Sequence, residues 1–520
     1  MRSITLLLLF LGQTVFSQTN GNLYLTVCDT IPKNLYNRKH LKSLQIENSM
    51  GYCKSPVKVL SAEISKLKSL ESLNYISSYK FAPLPPEVKE LKSLTYLGTT
   101  DIIPEIGEIT TLKTLSLIIN SDTELKDLKA LSFKKLVNLE YLYIKFNSNL
   151  DQKSSAGLFN DIEALTSLKH FEIFNANNKM LTQITMLKAL ESISINGFIG
   201  QLELDFNAFP NLKTLKITRA PDLVDLPASI YNLNLLTSLS ITNTGLTTIP
   251  DGISKLTQLK NLDLTFNKIT DLASDIVDLK ELEMISFVRN FNLKALPNDI
   301  GNLSNLKRLA LQSCQLTELP ESLMELSNLE ALTFNFNNIV KLPEDWSKLK
   351  KLKILNAERN KLETIPASLL TLENLEVLQL GHNCLLGDIF MNQQLPIGGL
   401  TSLKQLDFQY NDLLELPYDI GKLKNLEDLN IYKNNLRSLP ESIGGLGKLS
   451  SLSMSENEIA ALPKSMKKLR IYEFSLHTNA FANYKSLAKN FPDANRVWID
   501  EKFEKDLRIW PRLGREVYFR

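Results

Sequence analysis

The sequence predicts an α/β solenoid: short parallel strands stacked side by side to line a concave face, with short helical or extended segments on the convex side. Three observations carry this. A frame of 23 residues recurs, alternation of apolar residues opens each frame, and an amide closes the alternating stretch. The frame reads Leu306-x-x-Leu309-x-Leu311-x-x-Cys314-x-Leu316-x-x-Leu319-Pro320-x-x-Leu323-x-x-Leu326. It restarts at Leu329 with Leu332, Phe334, Asn337, Ile339, Leu342, Pro343, Trp346 and Leu349, and again at Leu352, Leu403, Leu426 and Leu449.

Each part of the frame has a physical reading. Alternation places Leu309 and Leu311 on one face of a strand and Arg308, Ala310 and Gln312 on the other. The chain must then turn, and the slot at the turn holds Asn267, Asn290, Asn337, Asn360, Asn383, Asn411, Asn434, Asn457 and Asn479. An amide offers donors and an acceptor, so it can pair backbone groups that the turn would leave bare. The Leu-Pro step fixes φ, and the following segment returns over the convex side with its Ile and Leu inward. No unit can bury its apolar slots alone, so each needs its neighbours.

Further frame starts lie at Leu41, Leu70, Leu94, Leu112, Leu139, Leu168, Leu190, Leu212, Leu236, Leu259, Leu282, Leu375 and a degraded Ile471. That makes about nineteen units across residues 41–481. Spacing before Leu212 is irregular. Residues 18–40 read as an N-terminal cap, with Leu23–Val27 as a capping strand. Residues 482–520, with Trp498, Trp510 and Tyr518, read as a C-terminal cap that leaves the repeat.

These repeats resemble those of the leucine-rich-repeat family, over residues 41 to 481. The LP-containing form is similar to the repeats of Ras-binding scaffold proteins, of Scribble and Erbin, and of many secreted bacterial proteins. The resemblance implies a horseshoe fold and protein recognition, usually on the concave face. It does not imply a particular partner.

Residues 1–17 read as a cleavable signal peptide. Arg2 precedes the apolar run Ile4–Leu11, and Val15-Phe16-Ser17 offers a cleavage site before Gln18. The run is shorter than the roughly 20 residues of a spanning helix, and no later segment is long and apolar enough to span. The expected location is therefore outside the cell or on its surface. A net charge of +2 in 520 residues supplies no basic excess for nucleic acid. Of the four cysteines, Cys28 and Cys53 lie about one coil apart and are expected to form a disulfide.

No catalytic constellation is visible, so the chain is read as a non-enzyme without cofactor. Gly444-Gly445-Leu446-Gly447-Lys448 is superficially like a phosphate loop, but Leu449 follows the lysine and the glycines occupy ordinary outer slots. His40, His170, His382 and His477 fall in separated units, which argues against a shared metal. The partner-binding candidates come from the position just before the amide slot, outward at the concave edge. There stand Phe266, Arg289, Ser313, Phe336, Arg359, His382, Tyr410, Lys433 and Glu456, with Tyr432 one residue earlier in its unit. Exposed aromatics and arginines are the residues that anchor interfaces. Phe266, Arg289, Phe336, Arg359, His382, Tyr410 and Tyr432 are thus expected to meet a protein partner. Tyr141, Tyr143, Phe146 and Phe174 form a similar group earlier in the chain. The alternative reading is a carbohydrate-binding surface protein, because outward aromatics also suit sugar rings.

Overall fold

The computed structural model describes residues 15–19, 21–26, 31, 33–47, 60–76, 84–120, 122–146, 157–387, 389, 395–483, 487–504 and 516–520. Cys28 and Cys53, and residues 1–14 of the expected signal, lie outside them. The chain forms two compact units, Met1–Leu246 and Thr247–Arg520.

In the first unit, Val15–Thr19 pairs antiparallel with Asn22–Thr26. Every later pairing among its described strands is parallel, from Asn22–Thr26 and Ser43–Glu47 through Thr214–Ala220 and Ser238–Thr244. The register aligns Leu44, Leu73, Leu97, Leu115, Leu142, Phe171, Ile193, Leu215 and Leu239 in one buried column. Two α-helices interrupt the repeat pattern, α1 (Asp122–Ala130) and α2 (Asn178–Gln183). They account for part of the irregular spacing in this half.

The second unit repeats more regularly. Its strands run from Asn261–Asp263 to Glu516–Phe519, all parallel, with Leu262, Ile285, Leu309, Leu332, Leu355, Leu378, Leu406, Leu429, Leu452 and Phe474 in one column. All the frame starts except Ile471 lie two residues before a strand, and Ile471 lies within one.

The segments opposite the sheet are mostly single 3-10 turns, such as Glu321–Glu325 after Pro320. Their i→i+3 bonds, such as Leu323 N to the Pro320 carbonyl at 3.0 Å, stack side chains three apart on one side. That periodicity is why Leu323 and Leu326 both face the core. Trp346 fills the same slot in the next repeat, fully buried, its Nε1 donating to the Pro343 carbonyl at 2.8 Å. Side chains also link successive turns: Trp346 N donates to Ser368 Oγ at 3.0 Å, and Gly252 N to the Asp275 carboxylate at 2.9 Å.

Two expectations need correction. Phe146 is not on the open face but fully buried. Its strand, Tyr141–Phe146, runs one pleat further than the frame implies, so Leu142, Ile144 and Phe146 all point inward. The segment after Ala482 does not leave the repeat. Asp493–Ile499 and Glu516–Phe519 continue the parallel ladder, because Ala494-x-x-Val497-x-Ile499 keeps the inward slots of the frame.

Candidate functional site

The amide slot builds the open face of the second unit. Asn360 is buried; its Nδ2 donates to the Phe334 carbonyl of the preceding repeat at 3.0 Å and to its own Ala357 carbonyl at 3.1 Å. Its Oδ1 accepts from Ile339 N at 3.1 Å. Asn337, Asn383, Asn411, Asn434, Asn457 and Asn479 repeat this pattern. Cys314 is a poor substitute. Its thiol donates to the Phe287 carbonyl at 3.3 Å, and burial pushes its pKa up to about 11. With no amide oxygen there, Leu293 N turns to the Asn290 carbonyl at 3.0 Å.

The residue before the slot is in every case left-handed. Phe266, Arg289, Ser313, Phe336, Arg359, His382, Tyr410, Lys433 and Glu456 have φ between 50° and 60°. This region is disfavoured for bulky side chains, at a cost of about 1–2 kcal/mol each. Three sets of bonds hold it. The amide side chain pins the turn behind, and the left-handed N–H donates across to the next repeat, as Phe336 N does to the Glu358 carbonyl at 2.9 Å and Tyr410 N to the Tyr432 carbonyl at 2.9 Å. Ahead of the turn, Asn356 Oδ1 accepts from Glu358 N at 3.0 Å, Asp407 Oδ1 from Gln409 N at 2.8 Å, and Asn430 Oδ1 from Tyr432 N at 3.2 Å. These short side chains close local turns with the second residue on.

The result is a ladder of side chains along the edge of the sheet. Arg289 lies over the Phe266 ring at 4.6 Å and Arg359 over Phe336 at 5.1 Å. Arg359 Nη2 reaches His382 Nε2 at 3.3 Å. His382 stacks on Tyr410 at 4.0 Å and 14°. Tyr410 meets Tyr432 edge-on at 5.3 Å, and Lys433 lies 4.9 Å from the Tyr410 centroid. The Tyr432 hydroxyl donates to Glu456. Burial, then the Arg359 charge, holds the His382 pKa below its ordinary value, so the ring is neutral at neutral pH. A neutral imidazole can accept from Arg359, which a protonated one cannot. The two Phe rings are open to solvent, Phe266 45% and Phe336 49% exposed, while His382, Tyr410 and Tyr432 are half-buried.

All seven candidates thus stand in one unit on one edge of the sheet. Ser313 breaks the ladder between Arg289 and Phe336. In the first unit Tyr141 donates to Glu172 at 2.5 Å and Tyr143 packs on Phe174 at 5.3 Å, both outward. The inner polar column Asn356, Gln379, Asp407 and Asn430 escaped the sequence reading. Its signal was there, as the residue between the two inward apolar slots of each strand. Among the described residues no group of three or more His, Cys, Asp or Glu is placed to hold a metal ion, and no helix is long and apolar enough to cross a membrane. The lysines that start many strands pair with glutamates of the preceding repeat, as Lys353 does with Glu330 at 3.0 Å and Lys404 with Glu376 at 2.6 Å. The Gly444–Gly445 pair lies in an outer 3-10 turn, where added Cβ atoms would crowd the Ser465 and Gly421 backbones. Close packing of turns explains those glycines.

The comparisons with known proteins agree with this geometry. The leucine-rich repeat region family matches residues 23–218, 289–388 and 391–485, and a second leucine-rich repeat family matches 234–291. Among solved structures, the Toll–Spatzle complex of Drosophila aligns at 17% identity and a TM-score of 0.57, covering 92% of this chain and 63% of that one. The Arabidopsis receptor kinase HAESA, in complex with the peptide hormone IDA and the co-receptor SERK1, aligns at 19% identity and a TM-score of 0.56, covering 92% and 77%. A leucine-rich-repeat protein of Leptospira interrogans aligns at 23% identity and a TM-score of 0.47, covering 94% and 93%. The search of curated proteins finds no match. With the family matched over most of its length and the strand-and-asparagine ladder in place, this chain belongs to the leucine-rich-repeat family.

Proposed function

We propose that this protein is a secreted or cell-surface scaffold that binds a protein partner on the open, concave face of its sheet, around Phe336, Arg359, His382, Tyr410 and Tyr432. One observation carries the reading: an outward ladder of rings and cations that share one turn geometry and pack on one another. A rigid aromatic surface loses little entropy on binding, which is what an interface anchor requires. Nothing in the core needs these rings, since the inward slots are filled by aliphatic and aromatic residues of the frame. HAESA and Toll, which share the fold, are named in complexes with a peptide hormone and with Spatzle. The signal-like start, with cleavage expected before Gln18, supports placement outside the cell.

A photo-crosslinking amino acid placed at Phe336 or Tyr410 tests the reading, with Lys348 on the outer segment as control. The protein is recovered from the culture medium or cell surface and its first residue read by mass spectrometry. The expected result is a mature start at Gln18 and a discrete adduct from positions 336 and 410 but not 348. Adducts from position 348 alone would contradict the face, and retention of Met1 would contradict the secretion.

A further inference from the structure

The second unit carries another recess on the same sheet, beyond the ladder. Its volume is about 320 Å³, and Ser451, Ser453, Glu473, Ser475, His477, Trp498 and Arg520 line it. It exists because outward positions on two neighbouring strands are small. Ser451 and Ser453 come from one strand and Ser475 from the next, while Trp498 rises from the third. The serines form a hydroxyl floor and the indole a wall.

The wall is fixed. Trp498 stacks on Tyr518 at 5.1 Å and 14°, so one indole face is backed by a ring. The floor is partly committed. Ser475 Oγ pairs with the buried Ser455 Oγ at 2.6 Å, whereas the Ser453 hydroxyl bonds to no described residue. On the rim, Glu473 is held by Arg496 at 3.2 Å, and His477 Nδ1 meets Thr478 Oγ1 at 3.1 Å, which leaves its Nε2 for a ligand. The Arg520 guanidinium has no ion pair with a described residue.

A matching ligand needs a flat apolar face for the indole and, at its edge, several groups that both donate and accept. An aromatic peptide side chain has the first but would cover the serines without pairing them, which leaves desolvated hydroxyls bare. A pyranose ring has both, a C–H face and a rim of hydroxyls. We propose that this recess is a saccharide subsite that takes one pyranose residue of an oligosaccharide, stacked on Trp498. Its hydroxyls meet Ser453, Ser475, Glu473, His477 Nε2 and Arg520. The subsite goes beyond protein binding at the ladder and can stand or fall without it.

The test uses the full secreted chain on a printed array of pyranose oligosaccharides, followed by calorimetric titration of the strongest ligand. Trp498→Ala should weaken that affinity at least tenfold. Ser453→Met fills the recess from its floor and leaves the Trp498–Tyr518 stack in place, and it should do the same with an unchanged melting temperature. The Phe336→Ala/Tyr410→Ala variant should bind the sugar as the parent does, which separates this site from the protein-binding face. An array without signal at millimolar ligand, or full affinity in either recess variant, would overturn the subsite.

Discussion

The buried asparagine is the residue on which the open face depends. Asn360 satisfies two carbonyls and one amide from two repeats in a buried site. Asn360→Ala would leave all three bare. We expect a loss of about 2–4 kcal/mol in denaturant unfolding, more than a surface change gives. A loss below about 0.5 kcal/mol would mean that the strands alone hold the turn. Asp407 is a second residue-scale case. Burial raises its pKa to about 6, against the lowering effect of the Gln409 N–H and the Asn430 side chain. The folded state thus binds a proton that the unfolded state has released, between the ordinary carboxylate pKa of about 3.9 and 6. Stability from this group is greatest below that window and falls as pH rises through it. Asp407→Asn should flatten the decline and make the protein more stable at pH 7 than its parent, in melting curves recorded at pH 4, 5, 6 and 7. A steeper decline in the variant would contradict the assignment. Sequence reading found Asn360 because its type fits its slot. It could not find the left-handed backbone at Phe336 or Tyr410, because neither side chain favours positive φ; the surrounding bonds impose it.

At the scale of elements, the outer turns set how closely repeats approach. A Cβ at Gly421 would overlap the Ser442 carbonyl oxygen of the next turn, and the same holds for Gly301 and Ser322. Gly421→Ala should therefore destabilise the fold by about 1–3 kcal/mol, although alanine is ordinarily the better residue in a helical turn. Unchanged stability would show that the turns can slide apart. Strand positions were legible wherever Leu-x-Leu alternation was followed by the amide, as at Leu332, Phe334 and Asn337. They were less so where that signal failed. At Tyr141–Phe146 it misled, because Asn147 stands in the amide position and yet Phe146 before it points inward. After Ala482 the leucines give way to Ala494, Val497 and Ile499; the spacing of the inward slots persists, but the leucine consensus does not, so Trp498 was missed as an outward residue.

At the scale of the molecule, the frame specifies an inside and leaves the outside free to vary. Leucines, asparagines and prolines recur because every repeat needs them, whereas the face before the asparagine changes from Phe336 to Arg359 to His382 to Tyr410. Those four residues share one backbone geometry and differ only in chemistry. The proposed recognition rests on that variable column. The measurement that bears on this most directly is the affinity of the captured partner for the Phe336→Ala/Tyr410→Ala variant, taken beside its melting temperature. The account expects binding weaker by at least about 2 kcal/mol with the melting temperature nearly unchanged. Full affinity in the variant, or a large loss of stability that shows the rings to be packing for the sheet, would contradict it.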